Sequence, residues 1–342
     1  MTDALDTPRG APRSGSRRAL VTGGAGFIGS HLADLLLARG DHVTIADNLS
    51  TGRRANLPPG SPRLRVVHAS LADAITGFER DSERFDEIYH LAAAVGVRLV
   101  MDEPITSIET NVVQTIELLR FASRHATPTL VASSSEVYGK GSRSPFSEED
   151  DVVYGSTSIA RWSYGCSKAI DEHLALAHHR LHALPVVVAR FFNTIGPRQV
   201  GNYGMVLPRF VHAALRAEPL LVHGTGRQTR CFCDVRDVAS LLPRMIAHAP
   251  CHGRVFNVGS DEEISILDLA RRVVQVLDAR SEIRLVPYAD AFPSGFEDLE
   301  RRRPDLTRLR AAIDFRPAYG LDQTIRDVAS AIRDTSPAGI VP

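Results

Sequence analysis

Ala19-Leu20-Val21-Thr22-Gly23-Gly24-Ala25-Gly26-Phe27-Ile28-Gly29 passes from an apolar strand through a glycine-rich turn into a helix. Gly23, Gly26 and Gly29 leave the turn bare, so backbone N–H groups and the helix N-terminus can meet a pyrophosphate that side chains would exclude. The spacing alone is a weak signal, and Asp47 strengthens it. That residue follows a second strand, His42-Val43-Thr44-Ile45-Ala46, about 20 residues on, where a carboxylate bonds the ribose hydroxyls of an adenosine and repels a 2′-phosphate. Arg53 and Arg54 lie nearby and would suit NADP, but the acid at the strand end favours NAD. The alternative is a tight turn that only packs a helix on a sheet.

The same order of elements continues outward. After a helix over 26–39 come His42–Ala46 and Leu64–Val67, then apolar runs at Glu87–Leu91, Thr129–Ala132 and Pro185–Ala189. Strands alternating with helices imply a parallel sheet flanked by helices, so the expected fold is α/β with a doubly wound parallel sheet. Residues 1–17, rich in Pro, Gly, Ser, Arg and Thr, lack apolar periodicity and read as a disordered tail. There is no internal repeat.

With 342 residues and 44% hydrophobic content the chain exceeds the usual size of one domain, which implies a large domain plus a smaller one. Lys+Arg and Asp+Glu both number 40, and zero formal charge gives no electrostatic case for nucleic acid or an anionic membrane as partner. No apolar run approaches the roughly 18 residues of a membrane helix, and the N-terminus lacks the apolar core of a signal peptide, so a cytoplasmic location is expected. Cys166, Cys231, Cys233 and Cys251 show no zinc-type spacing. Cys231-Phe232-Cys233 reads as a strand with both sulfurs on one face, and no metal is expected.

Tyr164-Gly165-Cys166-Ser167-Lys168 carries the chemistry. Helical positions i and i+4 share a face, so Lys168 can hold its ammonium near the Tyr164 phenol. A phenol titrating near pH ~10 is a poor base, but a neighbouring cation stabilises its phenolate. Upstream lies the hydroxyl run Ser133-Ser134-Ser135. Singly, these residues read as a polar strand end, a half-buried aromatic and a snorkelling cation. In this order beside a dinucleotide turn, they read as a catalyst.

Together with Asp47-Asn48-Leu49-Ser50-Thr51-Gly52, His90-Leu91-Ala92-Ala93-Ala94, Ser133 to Gly139 and Arg190-Phe191-Phe192-Asn193, these segments give a specific resemblance. The chain resembles the extended short-chain dehydrogenase/reductases of the nucleotide-sugar epimerase/dehydratase family. The resemblance implies an NAD-binding Rossmann domain of residues 18–193 plus 234–261 and a smaller nucleotide-sugar-binding domain of residues 194–233 plus 262–342. It implies that Tyr164 removes the O4 proton of a hexose while NAD accepts hydride from C4, and that Ser134, counted back from Val137-Tyr138-Gly139, bonds the same oxygen. Lys168 lowers the tyrosine pKa and bonds the nicotinamide ribose. Further cofactor contacts implied are Phe27, Ile28, Asn48, Ser50, Thr51 and Gly52, then Ser70, Leu71, Leu91, Ala92, Ala93, Ser133 and Arg190. Apolar stripes near 106–124 and 163–181 imply a homodimer built on a four-helix bundle.

On the substrate side the resemblance implies a UDP-sugar held by Asn193, Met205, Val206, Arg209, Val222 and His223, with Arg230 and Arg302 on the diphosphate. Arg301 and Arg303 read instead as a solvated face. The step after C4 oxidation is read from the loops. Dehydratases carry an Asp-Glu pair where this chain has Ser135-Glu136, which argues against 4,6-dehydration. UDP-glucuronate decarboxylases carry Ser-Glu there and an Arg before Lys/Arg-Pro, matched by Glu136 and Arg302-Arg303-Pro304. Against that, Val95, Gly96 and Arg98 lie in a loop similar to that of UDP-glucuronate 4-epimerases, and Gly196-Pro197-Arg198-Gln199 is similar too. A glycine there leaves room for the ketosugar to turn over. The expectation is a UDP-sugar 4-epimerase acting on UDP-glucuronate, with UDP-glucuronate decarboxylation as the alternative. A non-catalytic NAD sensor would typically lose Tyr164 or Lys168, and both are kept.

Overall fold

The computed structural model describes residues 15–94, 103–201, 205–291 and 299–335. Six strands come first: β1 (Arg18–Thr22), β2 (His42–Ala46), β3 (Leu64–Val67), β4 (Glu87–His90), β5 (Thr129–Ser134) and β6 (Val186–Phe191). Shorter strands come next as β7 (Thr194–Ile195), β8 (Leu220–His223), β9 (Thr229–Cys231) and β10 (Cys233–Asp234), then β11 (Arg254–Val258), β12 (Glu263–Ser265), β13 (Ile283–Val286) and β14 (Arg301–Arg302). The central sheet has seven strands in the order β11-β6-β5-β4-β1-β2-β3, all parallel.

The pleat explains why these strands are apolar on both faces. Ala19, Val21, Val187 and Ala189 point to one side, against Leu32 and Leu36 of the Phe27–Ala38 helix and Val238 and Leu242 of the Val235–Ala247 helix. Their neighbours Leu20, Val186 and Val188 point to the other, against Ile75 and Phe78 of the Leu71–Arg80 helix and Leu118 and Ala122 of the Pro104–Arg124 helix. Alternate residues thus feed two cores, the signature of a doubly covered parallel sheet. The order reverses direction at β1, with β2 on one side and β4 on the other, and the crevice beyond the carboxyl ends of these strands is where such sheets bind ligands.

β11 rejoins the sheet edge beside β6, with Val255 opposite Val188. A third core lies among the Val206–Leu215, Ile266–Val276 and Leu321–Thr335 helices, where Phe210, Leu269 and Ile325 are sealed from solvent. Beside it β9 runs between β12 and β14. Cys231 closes β9 and Cys233 opens β10, so the single strand expected across Cys231–Cys233 breaks at Phe232; all four cysteines are free. Among the described residues no group of three or more His, Cys, Asp or Glu is placed to hold a metal ion, and no helix is long and apolar enough to cross a membrane.

Candidate active site

The glycine turn is shaped for a ligand. Gly23 has φ +70°, and a Cβ there would sit 2.8 Å from the Ala92 backbone; a Cβ on Gly29 would lie 2.3 Å from the Gly23 carbonyl oxygen. The Phe27–Ala38 helix starts on Gly26 with no side-chain cap and no acid in its first turn. By contrast, Ser70, Asp234 and Ser265 each cap the helix that follows them. The N-terminal N–H groups of the Phe27–Ala38 helix are therefore left for a ligand, and an anion suits them best. Asp47 stands at the end of β2 with Oδ2 accepting from Ala25 N at 2.9 Å and Oδ1 from Leu49 N at 2.8 Å. Each oxygen keeps a further lone pair for a ribose hydroxyl.

These groups open onto a cavity of about 880 Å³. Phe27, Ile28, Asn48, Ser50, Thr51 and Gly52 line it near the turn. Leu71, Leu91, Ala92, Ala93 and Ser133 line its inner wall. The bare helix start, the pinned acid and the size of the cavity fit a dinucleotide. Three expected contacts are placed elsewhere. Ser70 faces its own helix, accepting from Asp73 N at 3.2 Å. Arg190 is buried in a two-pronged pair with Glu172 (2.9 and 2.7 Å) and lies over the Tyr138 ring at 4.7 Å. Val222 is packed in the third core, because β8 turns it inward while its neighbours Leu221 and His223 line the cavity. Val95, Gly96 and Arg98 lie outside the described residues.

The groups expected to react meet where β5 ends and the Ser163–His182 helix begins. Tyr164, Ser134 and Lys168 all line the cavity, and the Ser134 hydroxyl bonds the Tyr164 phenol. Ser133 is turned away to donate to Glu172 Oε1 at 2.5 Å, which leaves Ser134 as the hydroxyl for a substrate. In the chain alone the Tyr164 phenol is pushed up rather than down: burial is the main cause, and the negative charges of Glu136 and Asp171 add to it. Lys168 is engaged with Asp171 at 2.7 Å. Asn111 ties the wall together, accepting from Ala94 N at 2.9 Å and donating to Ser167 at 3.1 Å.

Glu136 sits in the short turn after β5, between two guanidinium groups: Arg161 Nη1 at 2.9 Å and Arg302 Nη1 at 2.7 Å. Burial alone would raise its carboxyl, but Arg302 and Arg161 overcome that and hold it at about 2. Arg302 reaches it from β14, which pairs with β9 so that Arg302 lies opposite Arg230. Ser135, Asn193, Met205, Val206, Arg209, His223 and Arg230 complete the wall. Asn193 donates to the Cys231 carbonyl at 3.0 Å, and Arg209 approaches His223 Nε2 at 3.3 Å.

Residues 19–259 match the NAD dependent epimerase/dehydratase family. The chain belongs to that family. Its cofactor is NAD. This epimerase/dehydratase is 40% identical over 320 residues, 93% of the chain and 98% of the relative, to a UDP-N-acetyl-alpha-D-glucosaminuronate decarboxylase of Bacillus cytotoxicus. It is 35% identical to UDP-glucuronic acid decarboxylase 2 of Arabidopsis thaliana, covering 92% of this chain and 68% of that one. Among solved structures it is similar to the Thermus thermophilus UDP-glucose 4-epimerase in complex with NAD, with a TM-score of 0.78 and 28% identity over 93% and 100% of the two chains.

These likenesses overturn the expectation of 4-epimerisation. The curated relatives at 33–40% identity are decarboxylases, whereas the epimerase structure shares only 28%. The epimerase expectation leaned on two short loops, and the first falls outside the described residues. The epimerase/dehydratase also has site residues that the sequence did not single out. Arg161 precedes Tyr164 by three positions, and an arginine so close to the tyrosine expected to act as the base, within reach of Glu136, was the available signal. Asp171, three positions after Lys168, was another.

Proposed function

We propose that this chain is an NAD-dependent decarboxylase of a UDP-linked hexuronate, either UDP-glucuronate or its 2-acetamido counterpart. The observation that carries the reading is Glu136, ionised and shared between Arg161 and Arg302 beside the Ser134–Tyr164 pair. The names of the relatives support the same reading.

Bound NAD supplies a reversible hydride acceptor at C4 of the sugar. Tyr164 takes the O4 proton and Ser134 bonds that oxygen, so the alcohol becomes a ketone. The sugar is then a β-keto acid. The C5–C6 bond breaks, carbon dioxide leaves, and the electron pair moves onto the C4 oxygen as an enolate that the Ser134 and Tyr164 hydroxyls stabilise. C5 then takes a proton. Arg161 and Arg302 receive the carboxylate. Because Glu136 already occupies both, they orient the carboxylate without neutralising it fully, and the ground state is not stabilised at the expense of the transition state. At neutral pH the ionised Glu136 has no proton to give, so the proton for C5 comes from another donor.

The division into a cofactor domain of residues 18–193 plus 234–261 and a sugar domain of residues 194–233 plus 262–342 belongs to this proposal. So does a homodimer formed through the exposed apolar face of the Pro104–Arg124 and Ser163–His182 helices, where Ile105, Val113 and Ile170 face solvent. Incubation with NAD and UDP-glucuronate or UDP-N-acetylglucosaminuronate, followed by mass detection, tests the function. Loss of carbon dioxide is expected, and retention or return of the hydride separates a keto-pentose from a pentose product. A product of unchanged mass refutes decarboxylation.

A further inference from the structure

Lys168 and Asp171 lie on one face of the Ser163–His182 helix. Lys168 Nζ donates to Asp171 Oδ2 at 2.7 Å, with the side chains 2% and 0% exposed. An aspartate with no exposure rarely stands without a partner, because an uncompensated buried charge is strongly destabilising. The facing hydroxyl, Thr115 on the Pro104–Arg124 helix, lies within hydrogen-bond reach of Asp171 and 2.8 Å from the Asn111 carbonyl, and its one proton serves one acceptor at a time. Behind Thr115, His90 Nε2 lies at 3.1 Å and His90 Nδ1 meets Thr22 Oγ1 at 2.8 Å. With the Thr115 proton serving one of those two acceptors, His90 donates from Nε2 and accepts at Nδ1, as a neutral ring does. Burial, helped by Lys168, lowers its pKa to about 3.

The remaining charges around the phenol are already matched. Glu136 has Arg161 and Arg302, and Glu172 has Arg190. Asp171 is thus the counter-charge of Lys168. We propose that Asp171 is a positioning residue for the base: it fixes the Lys168 ammonium ion and offsets its charge, so that Tyr164 stays a phenol in the chain alone and becomes a ready proton acceptor when the positive nicotinamide ring is bound. The inference rests on Tyr164 acting as the base, and not on which nucleotide sugar is processed.

The groups acting on the phenol are Ser134 and Glu136 from the end of β5 and the turn after it, and Asp171 from its own helix, with Lys168 paired to Asp171. Replacing Asp171 by Asn keeps the shape and removes one negative charge. The test is the ultraviolet difference absorbance of phenolate against pH, measured in cofactor-free protein, with the Tyr164→Phe trace subtracted to isolate that phenol. Asp171→Asn should move its titration to lower pH, Asp171→Glu should restore it, and adding NAD to the wild type should move it down as well. If Asp171→Asn does not fold, Asp171→Ser is read in the same way. A phenol that titrates unchanged in a folded Asp171 variant overturns the proposal. Undiminished turnover by Tyr164→Phe instead overturns the assignment of the base, a separate failure.

Discussion

Replacing Glu136 by Gln removes the charge on which two buried guanidinium groups converge. The carboxyl titrates at about 2 rather than 4.5. At about 1.4 kcal/mol per tenfold step, that gap corresponds to roughly 3 kcal/mol favouring the ionised form in the folded chain. Glutamine imitates the protonated form, so the variant should lose up to that amount at pH 7. For a chain of this size the loss lowers Tm by about 4 °C. The sign can be checked with acid. A depressed carboxyl pKa contributes stability that is complete above about 4.5 and lost as pH falls towards about 2, so the difference between wild type and variant should shrink through that window. Thermal melts from pH 7 down to the lowest pH at which the protein folds measure it, and the same samples are assayed for carbon dioxide release from UDP-glucuronate. We expect release to fall, because the two arginines would then neutralise the substrate carboxylate fully and stabilise the ground state. A variant as stable as the wild type at pH 7, or a difference that persists unchanged on acidification, would show that Glu136 is not held ionised between Arg161 and Arg302.

Tyr164→Phe should lower turnover by about 10²–10⁴ while nucleotide-sugar binding, measured calorimetrically, is retained; turnover near the wild-type rate would remove Tyr164 from the chemistry. Gly29→Ala places a Cβ 2.3 Å from the Gly23 carbonyl and should weaken NAD binding at least ~10-fold, with a stability loss of about 1–3 kcal/mol; tight binding in a melt-stable variant would mean that the turn relaxes freely. Asp47→Asn should weaken NAD more than NADP, and an unchanged preference would place discrimination elsewhere. Arg161→Met should raise KM for a UDP-uronate far more than it changes the dissociation constant of UDP-glucose, which has no carboxylate; equal effects on both would assign Arg161 to Glu136 alone.

The sheet and the cofactor turn were legible because their signals are local. Gly23, Gly26 and Gly29 lie within one strand, turn and helix, and Asp47 closes the next strand. Ser134, Tyr164 and Lys168 were legible because two of them share a helical face and the third is fixed by Val137-Tyr138-Gly139. The reaction was legible only in part: Glu136 and Arg302, 166 residues apart, were matched to the decarboxylase pattern, whereas Arg161, 25 residues from Glu136, carried no such signal. Resemblances in two loops, near Gly96 and at residues 196–199, outweighed that pattern when the residues were read in line. Arg190 was misplaced for a related reason, as its partner Glu172 comes from a helix and turns it from the cavity into the core. Ser70 lies next to cavity-lining Ala69 and Leu71, yet its hydroxyl is committed to capping, which only the backbone geometry reveals.

Arg302 reaches Glu136 from a strand of two residues near the end of the chain, held by β9 and by Phe146, whose N–H donates to the Arg303 carbonyl at 2.8 Å. During synthesis on the ribosome, the glycine turn and the Tyr164 helix emerge long before this strand. A nascent or C-terminally clipped chain could therefore hold the dinucleotide while lacking one of the two cations at the carboxylate. The two-cation seat of Glu136 is thus complete only once β14 has paired with β9, well after the dinucleotide turn has its own strand and helix.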